Sequence, residues 1–554
     1  MANYHLVVLI HGLWGNVSHF DYIHSALEEV AEILDADETQ LIVHKTTLNE
    51  GYKTYDGIDI CGFRVAKDIS EQIEEFESSG NNNGDKITKF SIVGYSLGGL
   101  IARYAVGLLY KSQFFKKREI ELLNFTTFCT PHVGVLAPGN NYAVKLFNSI
   151  VPLLLGSSGK QMFLKDSVGN NIAKGNSTGT NESLPLIYVM SLQSSIFYKG
   201  LSSFKYKSLY ANIINDKRTA WWTSGISLND PFFNINEYNG INVFKYIKGY
   251  EEIVVNRNNP IVISKVPEED NNDENVIKKI SVRSKDTDER KQLAGEEFYF
   301  LNYWFIKIGK WLMVMLNLLI IAPLFLLWKI IQSCTEMTIS AIRVTRFFKR
   351  YSHQIMHDYF DISPSPMIES DECTTADSYD TDNDDDFYSL NPTISGSSSI
   401  RSVSNMPQEF NNYLGVEGSL NDQADTLMES IYDAIERKRT HAGFLEEAAS
   451  TSGKISDDSL AVTIRELENI SFDQMIAKHG YHYEELIGNI ILDLSQTQID
   501  IIKSLNHINW EKYPIYIKDT PSTHACAIVR HNDPKFDEGK IVIKHWVHNV
   551  FRRS

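Results

Sequence analysis

The chain has 554 residues, enough for two or three domains or for one enzyme domain of about 250–300 residues with large insertions. Hydrophobic residues make up 43% of the sequence, which is ample for a core, and the net charge of −17 argues against nucleic acid as a partner. The five cysteines are odd in number and widely spaced, so they indicate neither a disulfide framework nor a paired metal site.

The first predicted element is a buried parallel strand, because residues 6–10 form a continuous apolar run of β type. This run is too short for a signal peptide and lacks a basic flank, so we expect the chain to fold on the cytosolic side. The strand ends in H-G-L-W-G, residues 11–15. Taken alone, this pentapeptide is compatible with an ordinary loop.

Helices are predicted over residues 19–34 and 62–77, and a strand over 41–43, from the spacing of their apolar positions. A polar loop at 80–84 precedes the next strand. The alternation of strands and helices predicts an α/β fold, with a mostly parallel sheet and helices on both faces.

The next strand, residues 90–93, ends at the motif G-x-S-x-G formed by Gly94, Ser96 and Gly98. A helix-compatible run over 97–110 follows, and this strand–turn–helix context is that of the nucleophile elbow of α/β-hydrolases. The turn strains the serine, so small neighbours are required. Ser96 is therefore the candidate nucleophile, and a plain Gly/Ser turn is the alternative.

The nucleophile elbow at residues 94–98 gives the H-G-L-W-G sequence at residues 11–15 a functional interpretation. In α/β-hydrolases the His11-Gly12 position supplies half of the oxyanion hole, here through the backbone N–H of Leu13. The N–H of Leu97, directly after the nucleophile, is expected to supply the other half. We expect His11 itself to be structural.

A strand over residues 123–129 ends at T-P-H-V-G, residues 130–134. His132 precedes any candidate acid and so departs from the chain order Ser, Asp, His of this fold. We therefore interpret His132 as a residue that shapes the pocket.

Three motifs together, at residues 11–15, 94–100 and 130–134, resemble the fungal serine esterase and lipase family of α/β-hydrolases. The resemblance covers roughly residues 5–255 and 495–550. It implies an α/β-hydrolase fold and hydrolysis of acyl esters. The family includes lipid-droplet phospholipases and monoacylglycerol lipases of yeasts.

A helix-like apolar segment, Tyr142 to Leu155, is compatible with a lid or an acyl-chain wall, and equally with a plain surface insertion. After it, a strand over 207–214 ends just before Asp216. A triad acid belongs in the turn after a late strand, and the family resemblance also implies the acid at this place. Asp166 and Asp230 are rival candidates.

Residues 1–260 are thus predicted to form the first part of the hydrolase domain, followed by a charged linker at 261–297 and a hydrophobic segment at 298–335. The stretch Trp311 to Trp328 carries no charge and just reaches the length that spans a bilayer. A single crossing would separate the nucleophile from any base that follows, so we favour attachment to one face of a membrane. True spanning and a buried core helix are the alternatives.

Residues 362–410 are acidic and rich in serine, and we expect them to be disordered. Residues 411–480 are predicted to be an insert of helices and loops, with helices at 420–437 and 459–468.

The segment 481–554 is predicted to return to the hydrolase domain, with a helix over 484–505 and a strand over 513–517. His524, on a loop after this strand, completes the order Ser96, Asp216, His524. His545 is the alternative base.

These features predict a serine-dependent lipase that hydrolyses fatty-acyl esters of glycerolipids, either monoacylglycerol or glycerophospholipid. An acyl-thioesterase or small-ester hydrolase, and a membrane scaffold without activity, are the alternatives. No metal or organic cofactor is implied, and nucleic acid is not expected as a partner. The expected location is the cytosolic face of a lipid droplet or the endoplasmic reticulum, and the oligomeric state stays open.

Overall fold

Within the part of the chain that the structure describes, the central sheet has six parallel strands, in the order β2-β1-β3-β4-β5-β8. The computed structural model describes residues 3–33, 39–78, 85–168, 184–216, 218–232, 244–263, 322–355, 359 and 459–553. The strands of this sheet are β1 (Asn3–Ile10), β2 (Thr39–Lys45), β3 (Lys86–Tyr95), β4 (Glu121–Phe128), β5 (Tyr206–Asn212) and β8 (Glu511–Ile515).

Helices connect the strands and cover both faces of the sheet, which confirms the predicted α/β-hydrolase class. The first half of the chain contributes α1 (Asp21–Ile33), α2 (Ile58–Ser78), α3 (Leu97–Lys111), α4 (Phe114–Lys117), α5 (Tyr142–Leu154), α6 (Gly156–Met162), α7 (Leu186–Ser191), α8 (Ile196–Ser202) and α9 (Trp221–Ser224). The second half contributes α10 (Ala322–Ile355), α11 (Ile464–Leu467), α12 (Phe472–His479), α13 (Glu484–Ile490), α14 (Gln496–Leu505), α15 (Thr523–Cys526) and α16 (Asp537–His545).

Alternation along β1 divides the core into two clusters. Leu6 and Val8 point into the cluster that contains α2 and α3, whereas Val7 and Leu9 point into the cluster that contains α1 and α16. Both faces of the strand are therefore buried, as the continuous apolar run predicts.

A second sheet of two antiparallel strands joins β6 (Pro260–Ile263) to β7 (Leu460–Thr463). This corrects two predictions: the boundary placed at residue 261 cuts through β6, and the helix predicted over 459–468 is a strand followed by the short helix α11. The reason is burial, because Leu460 and Val462 alternate into the main core. Within the same region the Glu468 carboxylate pairs with Lys512, the two atoms being 2.9 Å apart.

The helix predicted over 484–505 is two helices, α13 and α14, separated by residues 491–495. Ser495 accepts a hydrogen bond from the N–H of Gln498, and the Gln498 side chain reciprocates, forming a capping box that starts α14. Gln498 therefore helps to cap the start of α14.

The long helix α10 is held against the body by a buried carboxylate. Asp56 accepts hydrogen bonds from the Ser340 hydroxyl at 2.6 Å and the Arg343 guanidinium at 2.8 Å, and a third from Arg64 at 2.7 Å. Phe63 packs against the Phe347 ring at a centroid distance of 5.2 Å.

The predicted hydrophobic segment 298–335 lies mostly outside the described residues, as do 264–297 and 360–458, and the described part begins with α10. Among the residues that the structure describes, we find no helix that combines the length and the apolar character of a membrane span.

Candidate active site

The turn between β3 and α3 holds Ser96 in a conformation that L residues rarely adopt, with φ 54° and ψ −128°. Close packing explains the flanking glycines: a Cβ at Gly94 would lie 2.4 Å from the Cα of Gly99, and one at Gly98 would lie 2.1 Å from the carbonyl oxygen of Ile10. Ser96 is partly exposed, although both of its neighbours in the chain are buried. The predicted nucleophile elbow is therefore present.

The loop after β1 lies directly against this serine. A Cβ at Gly12 would come within 2.7 Å of the Ser96 Cβ and 3.2 Å of its Oγ. Leu13 follows in a turn closed by the hydrogen bond from the Gly15 N–H to the Gly12 carbonyl, 3.0 Å long. Leu97 is the first residue of α3, so its N–H has no partner within the helix. Of the two N–H groups proposed for the oxyanion hole, that of Leu97 directly follows Ser96 in the chain, and that of Leu13 follows Gly12, which lies against Ser96.

His11 is buried and donates its Nδ1 hydrogen to the Gly12 carbonyl at 3.0 Å. Burial lowers the pKa of His11 to about 4, against the effect of this hydrogen bond. The imidazole is neutral and fixes the loop, in line with the structural role that we predicted for it.

The candidate acid and base are in contact beyond the carboxyl ends of the neighbouring strands β5 and β8. His524 Nδ1 lies 2.8 Å from Asp216 Oδ2, and both side chains are almost fully buried. The carboxylate also accepts hydrogen bonds from the backbone N–H groups of Arg218 and Thr219, the Thr219 hydroxyl and the Asn212 amide. Burial by itself raises the pKa of Asp216, but the charge and hydrogen bond of His524, with these other donors, lower it to about 2. Asp216 is thus a stable anion that orients the imidazole.

His524 lies in the short helix α15, which corrects the predicted loop. Its backbone carbonyl accepts a hydrogen bond of 3.1 Å from the Tyr95 hydroxyl, and its ring lies 5.1 Å from the Tyr95 ring. The residue that precedes Ser96 in the chain therefore holds His524 in place.

Three residues around the acid were not identified from the sequence: Cys129, Asn212 and Thr219. The Asn212 amide donates to both Cys129 Sγ at 3.3 Å and Asp216 Oδ2 at 3.1 Å. Ligand atoms of Cys129, Asp216 and His524 lie within 4.8 Å of one another, a spacing that would allow a metal. Burial raises the pKa of the Cys129 thiol well above its usual range, however, and a protonated thiol is a poor ligand. We interpret Cys129 as packing around the acid.

The alternative base occupies a different environment. His545 Nδ1 is hydrogen-bonded to the Tyr210 hydroxyl at 2.7 Å, and its ring is packed between those of Tyr250 and Tyr513. Burial lowers its pKa to about 4. The Asp216 carboxylate is hydrogen-bonded to His524, whereas the partner of His545 is the Tyr210 hydroxyl.

His132 is fully buried, and its Nε2 lies 3.0 Å from the Thr127 hydroxyl. Its ring packs against Trp510 in the core. Of the rival acids, Asp166 accepts the N–H of Leu186 and Asp230 accepts the N–H of Phe232, each at 2.9 Å. None of the three takes the place of the Asp216–His524 pair.

Residues 1–227 match the family model described as "Putative serine esterase (DUF676)". This region contains Ser96 and Asp216, and it confirms the resemblance predicted from the three motifs.

Two curated relatives are "Putative lipase YDL109C" and "Putative lipase ROG1", both from Saccharomyces cerevisiae. The first is 29% identical over 223 residues, which are 40% of this chain and 30% of the relative. The second is 30% identical over 224 residues, 40% of this chain and 28% of the relative. The chain thus spans less than a third of the length of either relative.

Among solved structures, phospholipase PlaB from Legionella pneumophila in complex with thio-NAD aligns with a TM-score of 0.22 and 13% identity, over 38% of each chain. An extracellular α/β-hydrolase from a Paenibacillus species aligns with a TM-score of 0.18 and 16% identity, over 37% of this chain and 77% of the other. Likeness at this level carries no functional argument.

Proposed function

We propose that the chain is a serine-dependent lipase that hydrolyses fatty-acyl esters of glycerolipids at a membrane or lipid-droplet surface. The observation that carries this proposal is the buried Asp216–His524 pair, 2.8 Å apart, held by Tyr95 next to the strained Ser96. An acid, a base and a partly exposed hydroxyl on a strained residue, all at the carboxyl edge of one sheet, are the parts that acyl transfer requires.

The reaction proceeds in two halves. Ser96 Oγ attacks the ester carbonyl carbon while His524 takes the hydroxyl proton, and the N–H groups of Leu13 and Leu97 hold the oxyanion. The intermediate collapses when the carbon–oxygen bond to the alcohol breaks, and His524 returns the proton to that alcohol. Water then attacks the acyl-enzyme with His524 as base, releasing the fatty acid and restoring Ser96. Asp216 stabilises the imidazolium in both halves.

Support for a lipid substrate comes from the relatives, which are named as lipases, and from the large apolar side chains that helix α5 leaves exposed. Monoacylglycerol and glycerophospholipid both fit this chemistry. We place the reaction on the cytosolic face of a lipid droplet or of the endoplasmic reticulum.

A fluorophosphonate probe tests the nucleophile, because it reacts with activated serine hydroxyls. We expect labelling of the purified full-length chain and its loss in Ser96→Ala and His524→Ala. His545→Ala is the matched control, a buried histidine whose removal should leave labelling within about tenfold of the parent. Labelling lost in His545→Ala but kept in His524→Ala would reverse the assignment of the base.

A substrate panel tests the class. Vesicles that contain a monoacylglycerol, a diacyl phospholipid or an acyl-thioester are compared with a soluble short-chain ester. Faster turnover of either glycerolipid supports the proposal, whereas a preference for the thioester would make the chain a thioesterase. No turnover of any of these substrates, together with no probe labelling, would leave a scaffold without activity.

A further inference from the structure

Helix α5 is apolar on both of its faces. One face is buried against the body through Val144, Phe147 and Val151. The opposite face leaves large apolar side chains in solvent, which is unusual for a helix of a soluble protein. The exposed apolar residues are Tyr142 (82%), Leu146 (47%), Ile150 (46%), Leu153 (54%) and Leu154 (43%). We call these five residues the α5 face.

The segment that carries the α5 face, residues 131–165, is positively charged, whereas the whole chain has a net charge of −17. Residues 131–165 contain no aspartate or glutamate. Their lysines, Lys145, Lys160 and Lys165, are all exposed. A segment free of acid, with apolar and cationic side chains, is complementary to a surface of acyl chains and anionic headgroups.

Helix α5 is linked to the candidate active site through a series of contacts that starts in α6. Helix α6 follows directly, and its Ser158 hydroxyl donates to the Thr54 carbonyl at 2.5 Å. The Thr54 hydroxyl in turn accepts the N–H of Trp14, on the loop whose Gly12 lies against Ser96. Two hydrogen bonds and one glycine contact thus connect the α5–α6 pair to the nucleophile.

We propose that the α5 face is the surface through which the chain docks on an anionic phospholipid bilayer. The aliphatic side chains enter the acyl region, Tyr142 lies at the headgroup level, and Lys145 contacts anionic headgroups. This inference rests on the proposed function, because docking at this surface would bring Ser96 to a lipid ester in the bilayer.

A second copy of the chain is a poorer occupant. In a symmetric dimer the same face meets itself, so Lys145 of one copy would approach the Lys145 of the other. The α5 segment holds no acidic residue to pair with it. Anionic lipid supplies the missing negative charge.

Binding is tested by cosedimentation of the full-length chain with vesicles of phosphatidylcholine, with and without about 30% phosphatidylserine. The variant Leu146→Ser/Ile150→Ser/Leu153→Ser should bind anionic vesicles about 100-fold more weakly. Lys145→Gln should weaken binding to anionic vesicles about fivefold and leave binding to neutral vesicles unchanged. Phe472→Ser/Tyr481→Ser is the matched control, because these exposed aromatic residues lie on another segment and should not affect binding.

A fluorescent dye attached to one residue of the α5 face shows whether this surface, and not another part of the chain, enters the bilayer. An environment-sensitive thiol dye at Leu153→Cys, with Cys334 and Cys373 replaced by serine, should shift to the blue and be quenched by brominated acyl chains. The same dye at Tyr481→Cys should stay in water. A dye at residue 153 that is unquenched while the chain binds, or a triple variant that binds like the parent, would overturn the proposal.

The proposed function and this inference fail in different ways. Hydrolysis of a soluble short-chain ester should be the same in the triple variant and the parent, because none of its positions touches Ser96. Vesicle binding without any ester hydrolysis would keep the docking surface and reject the enzyme. A parent dimer that the triple variant converts to monomer, without a change in vesicle binding, would make the second copy the occupant and overturn the proposal.

Discussion

The two sides of the candidate site hold their residues in opposite environments. At the carboxyl edge of the sheet Asp216 and His524 are charged or polar side chains that are buried, and the groups around them satisfy their hydrogen bonds. On the helical flank, which we define as α5, α6 and α10, large apolar side chains are exposed. Buried polar groups and exposed apolar patches are the informative exceptions to ordinary burial.

These two exceptions have different physical causes. A carboxylate that is kept in the interior by several donors points to chemistry at that place, since its burial costs free energy that packing alone does not return. An apolar face left in solvent points to a partner that is absent from the chain itself. The first region carries the proposed reaction, and the second carries the proposed docking surface.

The largest expected effect comes from breaking the buried pair. Asp216→Asn keeps the size of the side chain but removes the charge that fixes the His524 tautomer, so kcat/KM for a soluble ester should fall about 10⁴-fold. Steady-state kinetics on purified variants measure this loss. Asp166→Asn, at the rival acid, is the control and should keep most of the activity; an equal loss in both variants would show that folding, not the pair, had been tested.

Much of the first region could be predicted because its constraints are local. The elbow requires glycine at 94 and 98 for steric reasons that a single chain displays. The order of Ser96, Asp216 and His524 follows from the fold. The donors Asn212 and Thr219 could not be predicted in the same way, because their role depends on which side chains converge across β5 and α15.

The structure of the helical flank was harder to predict from the sequence. The apolar character of Tyr142–Leu154 was visible, but a buried and an exposed apolar face look the same in a sequence. The attachment of α10 through Asp56 and Arg343 links positions far apart in the chain, which no local pattern indicates. The capping box at Ser495 was readable, by contrast, as serine followed three residues later by glutamine.

The next effect concerns the helical flank and is a loss of stability. Arg343→Ala removes one of the two guanidinium groups that pair with the fully buried Asp56 carboxylate, and we expect a local cost of about 2–4 kcal/mol. Hydrogen exchange should become faster in α10, while the amides of α3 keep their protection. Lys349→Ala, an exposed cation on the same helix, is the control, and equal exchange in the two variants would mean that Asp56 does not anchor α10.

The third effect is a pH dependence of stability that involves the structural histidine. Burial lowers the pKa of His545 from 6.5 to about 4. Between these two pH values His545 is therefore protonated in the unfolded chain and neutral in the folded chain. The contribution of His545 to the free energy of unfolding is therefore fully present above pH 6.5. It is lost as the pH falls toward 4, by about 1.4 kcal/mol per pH unit.

Urea unfolding at several pH values measures this slope. His545→Phe should reduce it by about that amount between pH 6 and 5, although the Tyr210 hydroxyl loses its partner and the baseline stability falls. An unchanged slope would place the proton uptake on other groups. Ester hydrolysis at pH 7.5 should persist in this variant, which separates His545 from the catalytic edge.

The smallest effect tests whether the Gln498 side chain stabilises the contact between α14 and the loop before α5. Gln498 and Gln474 hold the same position in two capping boxes, but Gln498 is buried and also donates to the Leu136 carbonyl at 2.9 Å, just before α5, whereas Gln474 is exposed. Gln498→Ala should therefore cost about 1 kcal/mol more than Gln474→Ala, because it leaves the Leu136 carbonyl without this donor. Chemical denaturation of the two variants measures the difference. Equal costs would mean that Gln498 acts only as a helix cap, and that its hydrogen bond to the Leu136 carbonyl adds no stability.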